Sequence, residues 1–245
     1  MRYLIDADIV AFKAASSAEH AVNWGDGFWT LHSFEDDGIR YCMDYFHRVI
    51  ERLGDGELCL FLTGDNNWRK DILPTYKGNR KDVRKPLILP ALRDWMVSEC
   101  SAVRVPTLEA DDLLGIEATN SGGVIVSEDK DLRTIPGKHF NPDKDQQIVE
   151  VSEFEADYNH MLQTLTGDTT DGYTGCPSVG PKTAEKILEG CTSVEEMWPR
   201  VVEAYAKKKL SEEVALTQAQ VARICRVSDY DFKTRKVIPW TPPKT

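Results

Sequence analysis

The sequence has no long apolar run and no paired cysteine or histidine motif. Its 245 residues are 41% hydrophobic, but no uninterrupted apolar stretch is long enough to span a bilayer. The chain reaches Asp6 too early for a signal peptide, so we expect a cytoplasmic protein with no membrane partner. The six cysteines contain no CxxC pair and the five histidines no HExxH spacing, which argues against zinc and favours reduced thiols.

The chain also lacks the basic excess that usually accompanies nucleic-acid binding. It has 40 acidic and 30 basic residues, a formal net charge of −10, whereas affinity for phosphate normally comes from Lys and Arg. Residues 66–85 are an exception, because they contain seven bases and two acids, with Trp68 and Tyr76 among them. A solvated charged face is the simpler interpretation. Interleaved aromatic and basic side chains also indicate a groove that stacks nucleotides and follows phosphates.

Four short apolar segments are predicted to be buried strands. They are residues 2–6, 56–63, 102–105 and 123–126. Helical periodicity between them, clearest from Ile39 to Leu53, predicts an α/β fold with a mainly parallel sheet flanked by helices. The carboxyl ends of parallel strands meet in one crevice. Acids that follow the strands are therefore expected to lie together.

Beyond Ser152 the pattern is helical, over residues 154–165, 181–188, 194–205 and 211–227. We expect an α/β core over residues 1–151 and a helical region over residues 152–245, packed as one compact unit. Asp8 is predicted to cap the helix that runs through Val10 and Phe12. Residues 23–29 are predicted to form a hairpin, for which the sequence indicates no function.

Three acidic segments carry the strongest chemical signal. They are Glu109–Asp112 at a predicted helix start, Glu128–Asp131 after a predicted strand, and the pair Asp168 and Asp171. Each has a structural interpretation of its own, because acids are favoured at helix N-termini and caps. Several carboxylates in one crevice nevertheless repel one another unless a divalent cation lies between them. The three segments together therefore favour a metal site.

The segment Gly175–Ala184 is typical of a phosphate-binding turn. Its glycines predict a tight turn that opens a helix at Pro181, with backbone N–H groups and Lys182 facing an anion. A surface lysine in a first helical turn is the simpler interpretation of Lys182 alone. An anion-binding turn beside paired carboxylates predicts metal-assisted cleavage of a nucleic-acid backbone.

Taken in order along residues 1–188, these motifs resemble those of the flap-endonuclease and 5′-nuclease family, and within it phage 5′→3′ exonucleases. The resemblance begins at Leu4-Ile5-Asp6 and includes the basic segment, the three acidic segments and the turn. It implies a PIN-like/5′-nuclease fold with a short helical arch near residues 66–90. It also implies two Mg²⁺ or Mn²⁺ ions, a helix–hairpin–helix that grips duplex DNA, and a K⁺ ion at that motif.

The resemblance also implies roles for single residues. The metal-binding carboxylates are expected to be Asp6, Asp65, Glu109, Asp111, Asp112, Asp129, Asp131, Asp168 and Asp171. The segment Tyr76-Lys77-Gly78-Asn79-Arg80 matches the Tyr-Lys-x-x-Arg motif of the family, so Lys77 and Arg80 are the catalytic candidates that would hold the scissile phosphate. DNA contacts are expected from Arg69, Lys70, Tyr76, Lys81, Ser178, Val179, Gly180, Lys182 and Thr183.

The implied function is a metal-dependent 5′→3′ exonuclease with flap endonuclease activity at 5′ ends, flaps or nicks of DNA. RNA–DNA hybrids are a further candidate substrate. The phage resemblance implies a role in DNA replication or recombination in the host cytoplasm. Two alternatives stay open: a PIN-like ribonuclease, which does not need the turn Gly175–Ala184, and a non-catalytic DNA-binding protein, whose affinity so many acids would lower.

Overall fold

The computed structural model describes residues 1–80 and 83–243. Lys81, one of the expected DNA contacts, lies outside the described residues. The strands are β1 (Arg2–Asp6), β2 (Glu19–Asn23), β3 (Trp29–Ser33), β4 (Glu57–Thr63), β5 (Val103–Val105), β6 (Val124–Val126), β7 (Gly137–Phe140), β8 (Val149–Val151), β9 (Tyr230–Asp231) and β10 (Lys236–Val237). The helices are α1 (Ala7–Ser17), α2 (Glu35–Leu53), α3 (Arg69–Ile72), α4 (Leu89–Glu99), α5 (Ala110–Ser121), α6 (Glu153–Thr166), α7 (Pro181–Leu188), α8 (Val194–Lys207) and α9 (Glu212–Ala222).

The central sheet has six strands in the order β5-β4-β1-β6-β7-β8. All neighbouring pairs are parallel except β7 and β8, which are antiparallel. The predicted parallel sheet and its four strands are therefore confirmed. Strands β7 and β8 were not predicted, because Gly137-Lys138-His139-Phe140 and Val149-Glu150-Val151 contain no continuous apolar run.

Helices cover both faces of the sheet, which explains why its strands are apolar on both sides. Tyr3 and Ile5 of β1 point into a core shared with α1, α2 and α4. Leu4, between them, points into the opposite core, against Leu114 of α5. Strand β1 thus lies in the middle of the protein and holds its last residue, Asp6, at a fixed place on the carboxyl edge.

The helices α6 to α9 surround a separate apolar core that contains Met161, Val201 and Ala215. A capping box between Ser152 and Glu155 begins α6, near the predicted start. The helix predicted over residues 211–227 is wrong at its end, because α9 stops at Ala222 and the chain continues extended. The division at residues 151 and 152 stays a prediction.

The predicted hairpin is present as the antiparallel pair β2 and β3. The predicted cap is wrong, because Asp6 rather than Asp8 accepts the hydrogen bond from the Ile9 amide that begins α1. Between residues 66 and 90 lie the single turn α3 and a 3₁₀ turn at Gly78–Arg80; the arch stays a prediction. None of the helices in the described ranges is both long and apolar enough to cross a membrane.

Candidate active site

The carboxyl edge of the sheet opens into a cavity of about 370 Å³. The end of β1, the start of α5, the loop after β6 and the loop between α6 and α7 all contribute to its wall. Of the nine carboxylates expected to bind metal, the structure brings seven to this wall: Asp6, Glu109, Asp111, Asp129, Asp131, Asp168 and Asp171. The two catalytic candidates, Lys77 and Arg80, line the same wall.

A hydrogen-bond chain orders the acids at the ends of β1 and β6. The Ser127 hydroxyl donates to Asp6 Oδ2 at 2.9 Å and accepts from the Asp129 amide at 3.1 Å. The Asp129 carboxylate accepts from the Asp131 amide at 2.8 Å. Ser127 was missed as a functional residue, although it lies directly after a strand and beside a predicted ligand. It fixes the separation of the two acidic strand ends.

Burial, and then repulsion by neighbouring acids, raises the pKa of three carboxylates of the wall. Burial and then the neighbouring Asp8 raise the pKa of Asp6 to about 7. Burial and then Asp129 raise the pKa of Asp131 to about 6. Burial, Asp6 and Asp129 hold the pKa of Asp111 well above its usual range. A divalent cation among them would relieve this repulsion, so the donor set fits a hard cation with a preference for oxygen ligands.

Glu109 lies at the start of α5, surrounded by positive charge. Lys77 Nζ donates to its Oε1 at 2.5 Å, and Arg69 Nη1 donates to its Oε2 at 3.0 Å. Burial alone would raise the pKa of Glu109, but Lys77 and Arg69 lower it overall. Glu109 is therefore ionised and held firmly in place.

Asp171 pairs with the same basic segment. Its Oδ2 lies 3.5 Å from Lys77 Nζ, and its Oδ1 accepts from the guanidinium of Arg80. Lys77 adopts the left-handed conformation at φ 52°, and its amide donates to the Asp171 carbonyl at 2.7 Å. This conformation is costly for a residue other than glycine, and it turns the Lys77 side chain into the cavity.

The acids are spread along the cavity wall. In the described part of the chain, no three acid, histidine or cysteine side chains already surround one point closely enough to hold a metal ion. Lys77 and Arg80 neutralise Glu109 and Asp171 instead. The chemistry of the donors fits a divalent cation.

The structure corrects the expectation that Asp112 binds metal. Asp112 is fully buried and does not line the cavity. Arg69 donates to both of its carboxylate oxygens at 2.8 Å, and Trp68 Nε1 donates to Oδ2 at 2.9 Å. The Cys225 amide adds a further bond to Oδ1 at 3.1 Å. No lone pair of Asp112 is left for a cation, so its role is structural.

Asp65, Arg69 and Tyr76 are also corrected. The Asp65 side chain is 73% exposed, pairs with Arg104 and does not line the cavity. Arg69 lines the cavity, but it is only 2% exposed and all five of its guanidinium donors are bonded within the protein, so none is left for DNA. Tyr76 is equally buried, with its hydroxyl 3.0 Å from Glu109 Oε2 and 2.9 Å from Asp171 Oδ2. Its ring is therefore unavailable for stacking on a base.

The remaining DNA-binding candidates lie on the surface, with one exception. Lys70, Ser178, Gly180, Lys182 and Thr183 are exposed, whereas the Val179 side chain is buried in the core of the helical region. The loop between α6 and α7 packs its backbone closely at Gly175. A Cβ atom at this position would lie 2.3 Å from the Gly167 nitrogen. Gly175 also has a φ of +63°, so glycine is required there.

The end of α9 and the chain just after it form a part of the wall that was not predicted from the sequence. Val221, Ala222 and Ile224 line the cavity. These apolar residues carry no motif and lie 50 or more residues from every acidic segment, so no local pattern could reveal their place.

Comparisons with known proteins agree with this geometry. Residues 1–159 match the family described as 5′-3′ exonuclease, N-terminal resolvase-like domain. An exonuclease of Escherichia phage T7 is 31% identical over 281 residues, covering 98% of this chain and 93% of the relative. A flap endonuclease Xni of Shewanella sp. (strain ANA-3) is 29% identical, covering 73% of this chain and 77% of the relative.

A solved structure has the same fold. The T5 D15 protein, co-crystallised with metal ions, superposes with a TM-score of 0.63 at 14% identity, covering 90% of this chain and 88% of that one. The predicted PIN-like/5′-nuclease fold is thus confirmed. The family match extends over more than half of the chain, and the chain belongs to the 5′-3′ exonuclease family.

Proposed function

We propose that this protein is a metal-dependent 5′→3′ exonuclease with flap endonuclease activity on DNA. The cavity carries the proposal, because its wall combines eight carboxylates, the seven expected metal ligands and Asp8, with Lys77 and Arg80. Relatives named exonuclease, exodeoxyribonuclease and flap endonuclease support the same reaction class. So many acids would lower the affinity of a non-catalytic DNA-binding protein, because they repel phosphate.

Two divalent cations, Mg²⁺ or Mn²⁺, are the proposed cofactors. The side chains that would hold them are the seven wall carboxylates already named, which offer the oxygen ligands that these cations prefer. The T5 D15 protein was crystallised with metal ions, which supports a metal-dependent reaction here. Bound cations supply positive charge that stabilises the phosphate in the transition state.

Lys77 and Arg80 are the proposed phosphate-binding residues of the chain itself. Burial lowers the pKa of Lys77, but Glu109 and Asp171 raise it overall. Lys77 therefore stays protonated and acts as a positive charge, not as a general base. With Glu109 and Asp171 engaged by cations, Lys77 and Arg80 would hold the scissile phosphate and stabilise its developing charge.

The exposed residues Ser178, Gly180, Lys182 and Thr183 are the proposed contacts to the duplex. They precede or begin α7, and the amides at the start of a helix can bind a phosphate independently of sequence. We further propose a K⁺ ion at this turn, a short arch near residues 66–90, and a functional division between residues 1–151 and 152–245. The exposed bases Lys70, Arg84 and Lys85 would guide the 5′ end toward the cavity.

The test is cleavage of a 5′-labelled DNA duplex, a 5′ flap and an RNA–DNA hybrid, side by side, with and without Mg²⁺. The proposal predicts short products released from 5′ ends only when Mg²⁺ is present. Asp131→Ala, which changes the cavity wall, should abolish cleavage. Asp65→Ala is the matched control, because it removes an acid outside the cavity and should cleave like the wild type.

Cleavage of the hybrid alone would favour the ribonuclease alternative. Metal-independent cleavage, or full activity of Asp131→Ala, would contradict the proposed site.

A further inference from the structure

Arg69 is a buried cation whose hydrogen bonds join three parts of the chain. Its Nε donates to the Val221 carbonyl at 2.9 Å, and its Nη2 donates to the Arg223 carbonyl at 2.6 Å. The other three N–H groups go to the carboxylates of Glu109 and Asp112. All five donors of the guanidinium are thus used, which only arginine can achieve.

Asp112 completes this connection from the other side. The Cys225 amide donates to the carboxylate oxygen that also accepts from Arg69 Nη2. Asp112 in turn accepts from the Glu109 amide at 3.2 Å, which closes the capping box at the start of α5. Arg69 and Asp112 therefore contact both Glu109 and the C-terminal segment, which we define as residues 221–226.

The C-terminal segment has a second anchor, remote from the cavity. Arg226 Nη2 donates to the Thr134 carbonyl at 2.9 Å and pairs with Asp157 at 2.7 Å. Between its two anchors the segment forms part of the cavity wall. It lies outside residues 1–159, the part of the chain that the family description covers.

We propose that Arg69 is a positioning residue that locks the C-terminal segment against Asp112 and thereby holds Glu109 in place for metal binding. The inference rests on the proposed function, since it takes Glu109 to be a metal-binding carboxylate. A change at Arg69 loosens the C-terminal segment locally and weakens the metal site, while the core of the sheet stays intact.

The test uses Arg69→Lys in the full chain, because lysine keeps the charge but has three donors instead of five. Two buried cysteines report on local opening. Cys225 lies in the C-terminal segment, whereas Cys42 lies in the core on the other side of the sheet. Alkylation of each cysteine is followed by mass spectrometry, and Mn²⁺ binding is followed by calorimetry.

We expect alkylation of Cys225 to accelerate at least about tenfold with Cys42 unchanged, and Mn²⁺ affinity to fall by about 10–100-fold, as for other residues that orient metal ligands. Equal acceleration at both cysteines would indicate general unfolding and overturn the proposal. Unchanged Mn²⁺ affinity would overturn it too. Absence of Mn²⁺ binding in the wild type would overturn the proposed function, and with it this inference.

A second variant keeps the proposal testable if Arg69→Lys does not fold. Asp157→Asn weakens the remote anchor without touching Glu109 or Asp112. It should also accelerate alkylation of Cys225 alone and weaken Mn²⁺ binding. If Cys225 opens while Mn²⁺ binds as in the wild type, the C-terminal segment does not position the metal site.

Discussion

The substitution Asp112→Asn tests whether Asp112 is a structural carboxylate or a metal ligand. The asparagine would place an amide N–H against the donors of Arg69 or Trp68, in a site with no access to water. The guanidinium would keep its charge and lose its ionised partner. Neutralising a metal ligand would instead remove repulsion from the metal-free protein, and would lower stability only when metal is bound.

The expected loss of stability follows from the buried ion pair between Arg69 and Asp112. Breaking a buried ion pair by removing one partner costs about 3–5 kcal/mol. In a chain of this length, 1 kcal/mol corresponds to about 2–4 °C in melting temperature, so we expect a fall of about 6–20 °C. Burial would raise the pKa of Asp112, yet Arg69 lowers it overall, which agrees with an ionised, strongly paired group.

The assay is urea unfolding in EDTA, with Asp65→Asn as the matched control. Asp65 pairs with Arg104 on the surface, and exposed pairs contribute less than about 1 kcal/mol. If Asp112→Asn unfolds at the same urea concentration as the control, the structural role is refuted. A loss of stability that appears only with added Mn²⁺ would restore Asp112 to the metal site.

Three further predictions use other parts of the chain. Burial and then Arg223 hold the pKa of His160 well below its usual value, so His160 is neutral in the folded protein. The free energy of unfolding should therefore fall as pH drops below about 6.5, by up to about 1.4 kcal/mol per pH unit. In urea unfolding at several pH values, His160→Gln should lose less stability per pH unit than the wild type. Gly175→Ala should lower the free energy of unfolding by about 1–3 kcal/mol, because alanine is strained in this backbone conformation. Gly78 has open space around it, so Gly78→Ala should have the same melting temperature as the wild type. Lys182→Ala should weaken duplex binding and reduce the slope of log affinity against log salt by about 1, and an unchanged slope in a fluorescence titration would remove Lys182 from the interface.

Patterns close together in the sequence predicted much of the fold and the cavity. Asp6 and Asp129 each follow an apolar strand, and parallel strands bring such positions together. The role of Ser127 was not predicted, because its hydroxyl donates to Asp6 on a neighbouring strand, a contact that the local sequence does not show. The short strands β7 and β8 were missed because their pairing, not their composition, makes them strands.

The structural role of Arg69 and Asp112 could not be predicted from the sequence. Both lie within motifs typical of DNA and metal binding, and only contacts over 43 and 154 residues of chain show that their polar atoms are already satisfied. The same long-range contacts place residues 221–226 beside the cavity. A side chain of the right chemical type in the right motif can thus stabilise the structure around a site without binding metal or DNA.

The most direct test of the central claim is calorimetric titration of the DNA-free protein with Mn²⁺. The wild type and Asp65→Ala should bind the ion alike, whereas Asp131→Ala and Asp168→Ala should lose at least one binding event while melting like the wild type. Equal binding by all four proteins would contradict the claim that the carboxylates of this cavity hold the metal.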